Sequence, residues 1–561
     1  MMPWESVRPK LLETLAGYNR RACVADVVAG LTVGVVALPL AMAFGIASGV
    51  TPQAGIYTAI VGGFLVSLLG GSSIQISGPT GAFVVIVAGI ITTHGMSGLL
   101  MVTMMAGAIL VFLAVTGLGR AVKFIPRPVV IGFTNGIALL IAATQIRDFL
   151  GLAIPEPPSE FFSRMTALAA GLPQWNPAAL ALAATSLAVV LVMPRLAPRV
   201  PGSIVALVAA TAAVAAFGLP VETIGSRFGG IPGGPPRIAI PPFRADLILP
   251  LLPSAFTVAL LAAVESLLSA VVADTMTGDR HNSSAELMGQ GVANLMSPLV
   301  GGIPVTGAIA RTATNFRSGA RTPVSGLVHA LTLLSIVVLL APLAAYVPLA
   351  TLAAVLFVVA YNMGEWREIA GIWRLEWADK SVWILTFALT VMADLTVAVE
   401  VGMAMAALLY IYRVTDTTIV STLSQEDIED GRVHLLQDRQ VPADVTILRI
   451  LGPFLFGMTD KLADITADLS AFSTIVILRL RNMTAIDATG LHALEQLNER
   501  LRKSGRVLIL CGARQQPAAF LDQAEFVQHV GANNIVPNIE AALLRARQLQ
   551  TEDALESSAV T

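Results

Sequence analysis

Thr306-Gly307-Ala308-Ile309-Ala310-Arg311-Thr312-Ala313-Thr314-Asn315 puts an arginine inside an apolar chain. Leu287 to Ala310 contains no Asp, Glu, Lys or Arg, and a second uncharged run follows Arg321 and lasts to Glu365. A guanidinium at that depth in a bilayer must face a cavity, a partner or a ligand, because lipid cannot solvate it. The small, turn-prone residues before Arg311 fit an extended segment entering a short helix. Irregular backbone survives in a membrane only under cover of protein or beside a water-filled cavity. The stretch is therefore read as one wall of an anion site.

The rest of the chain fits a membrane setting. Of its 561 residues 55% are hydrophobic and 13% charged, against about 25% charged in soluble domains. No Asp, Glu, Lys or Arg lies between Asp26 and Arg120, and a spanning helix needs only about 20 apolar residues. The protein is thus expected to be an α-helical polytopic membrane protein. Apolar stretches lie near 24–48, 53–70, 79–93, 97–117, 128–146, 177–193, 201–218, 247–273, 286–300, 308–318, 322–342, 346–361, 381–393 and 396–412, fourteen in all. An even count puts both ends on one side. Arg120/Lys123/Arg127, Arg195/Arg199, Arg280, Arg317/Arg321 and Arg367/Arg374/Lys380 then share the side of the N-terminus, as the positive-inside rule asks of cytoplasmic loops. No cleavable signal peptide is read at the N-terminus.

A Pro- and Gly-rich segment, 218–245, separates two halves of about seven spans. Each half holds one interrupted span, at Gly78-Pro79-Thr80-Gly81 and at Gly307–Arg311. Paired interruptions in matching positions predict a 7+7 inverted-repeat transporter with its site between the breaks. Helix N-termini attract anions through free amides and the helix dipole. Thr80, Gly81, Ala310, Arg311 and Thr312 are the candidate substrate contacts. The competing reading is a glycine-proline kink with threonines bonded to their own backbone.

Glu265 has no charged neighbour in sequence between Asp246 and Asp274. A carboxylate in mid-span is paired, protonated or bound to a cation. It is the candidate carrier of a coupling proton; the alternative is a static Glu265–Arg311 ion pair. His94 and His329 lack ligand-spaced neighbours and the two cysteines are far apart, so no metal and no cofactor is expected. There is no Walker-type loop, nucleophile elbow or kinase motif, so the chain is read as neither an ATP-driven pump nor an enzyme.

Beyond Arg413 the composition turns polar. Val445–Ile450, Thr474–Arg479 and Val507–Leu510 read as strands, and Thr489–Lys503 as a helix capped by Asp487, giving a small α/β domain. The expected division is a cytoplasmic N-terminal segment 1–22, a transmembrane domain 23–415, a linker 416–440, the α/β domain 441–550 and a polar, unstructured tail 551–561.

These motifs resemble a known family. Pro52-Gln-Ala-Gly-Ile-Tyr57, Gly70-Gly-Ser-Ser73 and Ser77-Gly-Pro79 resemble the signature of the SulP sulfate-permease family, whose animal members include prestin. Gly307–Asn315 followed by Ser318-Gly-Ala-Arg-Thr322 is similar to the tenth span of that family. The segment from Val445, with Ile486-Asp-Ala-Thr-Gly-Leu491, resembles the STAS domain (sulfate transporter and anti-sigma factor antagonist). The resemblance implies fourteen spans in core and gate domains, substrate between the third and tenth spans, elevator-type alternating access and a homodimer in the plasma (inner) membrane. Ala310 falls where many members have serine, which removes one hydroxyl donor. Glu265 matches the eighth-span acid of members thought to be proton-coupled, whereas sodium-bicarbonate members usually carry aspartate there and lack the arginine. The expected function is import of a small anion, sulfate first, by proton symport. The alternatives are a sodium-coupled bicarbonate or C4-dicarboxylate transporter, an anion exchanger, or an anion-sensing transceptor whose STAS domain recruits a cytoplasmic partner. No nucleic-acid partner is expected. Thr489 lies where anti-sigma antagonists are phosphorylated; the simpler reading is that Asp487 and Thr489 cap a helix.

Overall fold

The structure, a computed structural model, describes residues 7–118, 126–154, 158, 160–197, 200–231, 233–242, 244–393, 395–423, 442 and 444–559. Arg120, Lys123, Arg199, Asp394 and most of the expected linker, 424–440, lie outside the described residues. The chain forms two compact units, Met1–Ala406 and Ala407–Thr561.

The first unit is helical. Its helices are α1 (Lys10–Leu15), α2 (Arg20–Ala47), α3 (Pro52–Leu69), α4 (Ala82–Thr116), α5 (Arg127–Leu150), α6 (Phe161–Gly171), α7 (Pro177–Leu196), α8 (Gly202–Phe217) and α9 (Ile224–Phe228). After the Pro- and Gly-rich segment come α10 (Ile248–Thr277), α11 (Ser283–Met296), α12 (Ile309–Arg317), α13 (Val324–Ala344), α14 (Leu349–Met363), α15 (Trp366–Ile372), α16 (Trp377–Met392) and α17 (Leu395–Thr417), whose residues from Ala407 onward count with the second unit. Among the described residues, eight helices are long and apolar enough to cross a membrane. α4 is two apolar stretches joined at Gly95, whose φ of 67° breaks the helix there. α6 and α15 were not expected from sequence, being too short to stand out from their loops.

The two expected interruptions meet. Strand β1 (Ser77–Gly78) pairs antiparallel with β2 (Thr306–Gly307), Ser77 opposite Gly307 and Gly78 opposite Thr306. All four residues are buried. The ladder is extended by Ala308, whose N–H donates to Ile76 O at 2.9 Å. In a membrane irregular backbone of this kind needs partners inside the protein, and α11 supplies several beside the strand pair. Its Glu286, Gln290 and Asn294 recur every four residues and so share a face. Asn294 donates to Val305 O at 2.8 Å and accepts from Val305 N at 2.9 Å. Gln290 donates to Ser77 Oγ at 2.9 Å. Glu286, fully buried, accepts from Gly71 N, Gln75 Nε2 and Gln290 Nε2. Ser266 of α10 accepts from Gly307 N at 3.0 Å and shares a hydrogen with Thr306 Oγ1.

The second unit is an open sheet. Strands β3 (Ile419–Leu423), β4 (Val445–Phe454), β5 (Ile475–Arg479), β7 (Val507–Cys511) and β8 (Ile535–Val536) lie in that order, and β6 (Met483–Ile486) pairs with β4. β3 is antiparallel to β4 and the others are parallel. Leu494, Leu497 and Leu501 of the helix Ala488–Lys503 pack on one face, against Leu448, Leu478 and Leu510. Ala542, Leu543 and Ala546 of the last helix pack on the other, against Ile447, Ile477 and Ile509. Two expectations are corrected here. Residues 419–423, assigned to the linker, are the edge strand, because their β-branched residues continue the sheet. The tail expected to be unstructured from 551 is helical to Ala559, supported by an Arg545–Glu552 ion pair at 3.2 Å.

Asn294→Leu tests the network. It would leave both backbone groups of Val305 buried and unpaired, each worth about 1–3 kcal/mol. The expected outcome is a clearly lower melting temperature of the purified protein; an unchanged melting curve would show that β2 does not depend on α11.

Candidate anion-binding site

A cavity of about 440 Å³ lies in the first unit beside the paired breaks. Thr80 and Gly81 before α4, Glu265 in α10, and Gly307 to Arg311 at the start of α12 form its polar wall. The facing wall is mostly apolar, with Val129, Phe133, Val359, Met363 and Met403 from α5, α14 and α17.

Both broken helices present bare N-termini to this space. α4 begins after Gly81 and α12 after Ala308, and neither has a side-chain cap bond. In α4 the amides of Phe83 and Val84 already turn back onto Thr80 O and Gly81 O at 3.3 and 3.0 Å, so what the two ends share is the absence of a side-chain cap and the positive end of the helix dipole, the arrangement that attracts anions.

Arg311 is only 3% exposed. Its Nη2 donates to the carbonyl of Pro79, the residue before Thr80. Nη1 lies against Gly78, where a Cβ would come within 2.7 Å of it; only glycine lets the guanidinium sit this close to β1. Nη1 is buried and makes no hydrogen bond among the described residues. The guanidinium thus stands behind the first break and adds a full positive charge to its helix end.

Glu265 and Arg311 form no direct salt bridge among the described residues, each bonding elsewhere. Glu265 Oε2 instead accepts from Thr80 Oγ1 at 2.9 Å. The one hydroxyl at the first helix tip is therefore shared with the mid-span carboxylate.

The remaining candidates separate. Gly81 and Ala310 line the cavity; the methyl of Ala310 leaves its place without a donor. Thr312 does not line it. Its hydroxyl accepts from Ile76 N at 3.1 Å and contacts Ser269 Oγ at 3.2 Å, so it ties α12 to the first break. Thr489, in the second unit, is exposed, while Asp487 caps that helix by accepting from Gly490 N at 2.8 Å. Sequence reasoning passed over Glu286, Gln290 and Asn294; their four-residue spacing on a short helix beside the second break was the available signal. It also passed over Asn362, on the far wall.

Comparison with known proteins defines the class. The sequence profile of the sulfate permease family matches residues 24–386, and that of the STAS domain residues 437–542. The chain belongs to the sulfate permease family: it is a multi-pass membrane anion transporter with a C-terminal STAS domain, and not an enzyme. It is 40% identical to the putative sulfate transporter YvdB of Bacillus subtilis over 92% of this chain and 96% of that one. It is 31% identical to the bicarbonate transporter BicA of Picosynechococcus over 93% and 94%. The structure of SLC26A9 superposes with a TM-score of 0.85 at 20% identity, covering 98% of this chain and 93% of that one. The transmembrane domain of a cyanobacterial BicA gives 0.61 at 32% identity, covering 70% and 98%.

Replacing Arg311 by alanine is expected to weaken anion binding at least roughly tenfold, the scale of one lost charge-assisted interaction. Binding of radiolabelled sulfate to the purified variant measures this. Parent-like affinity in a well-expressed Arg311→Ala protein would remove the guanidinium from the site.

Proposed function

We propose that the protein is a secondary active importer of a small anion, sulfate foremost, driven by proton symport. The observation that carries the reading is the β1–β2 pairing, which holds two uncapped helix ends, Arg311 and Glu265 around one cavity. The anion sits at the tips of α4 and α12, against Thr80, Gly81 and Ala310, with the Arg311 charge behind it. Thr312 holds the second tip in place.

The Thr80–Glu265 bond offers the link between the two fluxes. An ionised Glu265 draws the Thr80 hydroxyl hydrogen to itself. Once protonated, Glu265 donates to Thr80 in turn, and the threonine's own hydrogen is free to point at the anion. Proton and anion then favour each other's binding, and reciprocally so.

Antiparallel pairing of two strands from the two halves is what a two-fold axis in the membrane plane produces, which supports a 7+7 repeat of fourteen spans. The contrast between a polar wall and an apolar facing wall supports an elevator movement, in which the polar body slides past a surface that makes no specific bonds to the anion. The N-terminus and the STAS domain share the cytoplasmic side of the plasma (inner) membrane, and the working unit is a homodimer. A second reading, sodium-coupled bicarbonate uptake, is favoured by the 31% identity to BicA.

Uptake of labelled sulfate into proteoliposomes, with and without an imposed pH gradient, is the test. The parent accumulates label only with the inside alkaline. Glu265→Gln still binds sulfate but loses the response to the gradient. Bicarbonate uptake that needs sodium and ignores Glu265→Gln would replace the proposal with the second reading. Ligand binding without any uptake would make the protein a sensor.

A further inference from the structure

The second unit carries a row of cationic side chains with no carboxylate on the strands that bear it. The parallel register places Arg449 of β4 beside Arg479 of β5, and Arg479 beside Cys511 of β7. The antiparallel edge adds Ser421 of β3 opposite Arg449. The four residues point to the face covered by the last helix, as Ile447, Ile477 and Ile509 do two residues earlier. Where the first rows are aliphatic, this one is cationic, and it falls at the carboxyl ends of β5 and β7. Arg481 lies two residues beyond β5, exposed, while Arg449 and Arg479 are half-buried.

Adjacent strands are about 4.8 Å apart, and like charges placed side by side destabilise a sheet. Among the described residues, the strands that carry the row supply no counter-charge. Val445–Phe454, Ile475–Asn482 and Val507–Cys511 contain no Asp or Glu. Among the described residues, the ionisable groups acting on Arg479 are the Cys511 thiol, Arg481 and Arg449. Burial pushes the Cys511 thiol up to about 12, so it is neutral near pH 7 and gives no counter-charge. Burial, followed by the two neighbouring arginines, holds Arg479 below its ordinary value. Arg449 donates from Nε to Ser421 Oγ at 2.7 Å, which fixes its plane and uses one of its five donors.

We propose that Arg449, Arg479 and Arg481 form a second anion site, on the STAS domain, for a tetrahedral oxyanion of the phosphate or sulfate class. Guanidinium forks match the paired oxygens of such groups, and an anion there turns a repulsive row into a stabilising one. The oxyanion is either free in solution or part of an acidic lipid headgroup. This site lies in the second unit and does not rest on the transport reading above.

The test uses the full-length protein in detergent, in an Arg311→Ala background so that the membrane site does not bind the probe. Equilibrium dialysis with labelled inorganic phosphate is run alone and with soluble short-chain phosphatidic acid as competitor. Saturable phosphate binding that falls at least roughly tenfold in Arg449→Gln/Arg479→Gln supports the site, and Arg449→Lys/Arg479→Lys should restore part of it. Phosphatidic acid displacing phosphate at far lower concentration identifies the headgroup as the source; equal potency points to the free anion. Should the glutamine pair fold poorly, the single Arg479→Lys variant must still show weaker binding. Binding of both probes unchanged by these substitutions, or no binding of either, overturns the proposal.

Discussion

Backbone that leaves a helix inside a membrane must find its hydrogen bonds within the protein. That requirement accounts for the first unit better than any single side chain does. Two segments, 229 residues apart at Ser77 and Thr306, leave their helices and satisfy each other as a two-residue antiparallel pair. The pair is too short to stand alone. Ser266 accepts from Gly307 N, Gln290 donates to the Ser77 hydroxyl, Asn294 and Thr312 hold backbone groups of the flanking Val305 and Ile76, and Asn315 donates to Ile74 O just upstream. The cost of breaking two helices at depth is thereby met by side chains of α10, α11 and α12. What it leaves is a pair of helix ends with no caps, fixed in position and opening on one cavity.

Much of this was legible in the sequence. Arg311 in an uncharged run, Gly78-Pro79 in another and Glu265 in mid-span are visible because each violates the apolar rule of its surroundings. The strands read at 445–450, 474–479 and 507–510 were visible from their aliphatic and β-branched runs. The pairing of β1 with β2 was not, since two-residue strands have no periodicity and their register depends on tertiary contacts. Thr312 shows the same limit. A threonine one place after the arginine reads as a ligand donor, yet a helix turns about 100° per residue, and that rotation carries its hydroxyl from the cavity to Ile76. Edge strand 419–423 was missed because it directly follows a long apolar helix and precedes a polar run.

The site's two charges are held differently from the other buried charges of the unit. Asp26, fully buried, accepts from Arg321 N, Thr322 N and Thr322 Oγ1. Glu286 accepts three bonds as well. Such carboxylates are saturated by neutral donors, and their partners are fixed in helix starts and turns. Among the described residues Glu265 accepts a single bond, from Thr80, and Arg311 donates to one carbonyl with Nη1 left over. A buried polar group short of partners is costly unless it has something to exchange with. Saturated charges are fitted to hold structure; unsaturated ones beside a cavity are fitted to trade partners.

The same reasoning separates the two walls of the cavity. Most residues that could bond an anion come from α10, α12 and the entry to α4, all joined through the strand pair and α11, while Thr134 and Asn362 stand on the opposing wall. The opposing residues of α5, α14 and α17 are chiefly Val, Phe and Met. Met and aliphatic surfaces keep their contacts when shifted, because dispersion and burial do not depend on register as hydrogen bonds do. A wall of this kind therefore holds the bonded network opposite it by packing and not by hydrogen bonds of fixed register.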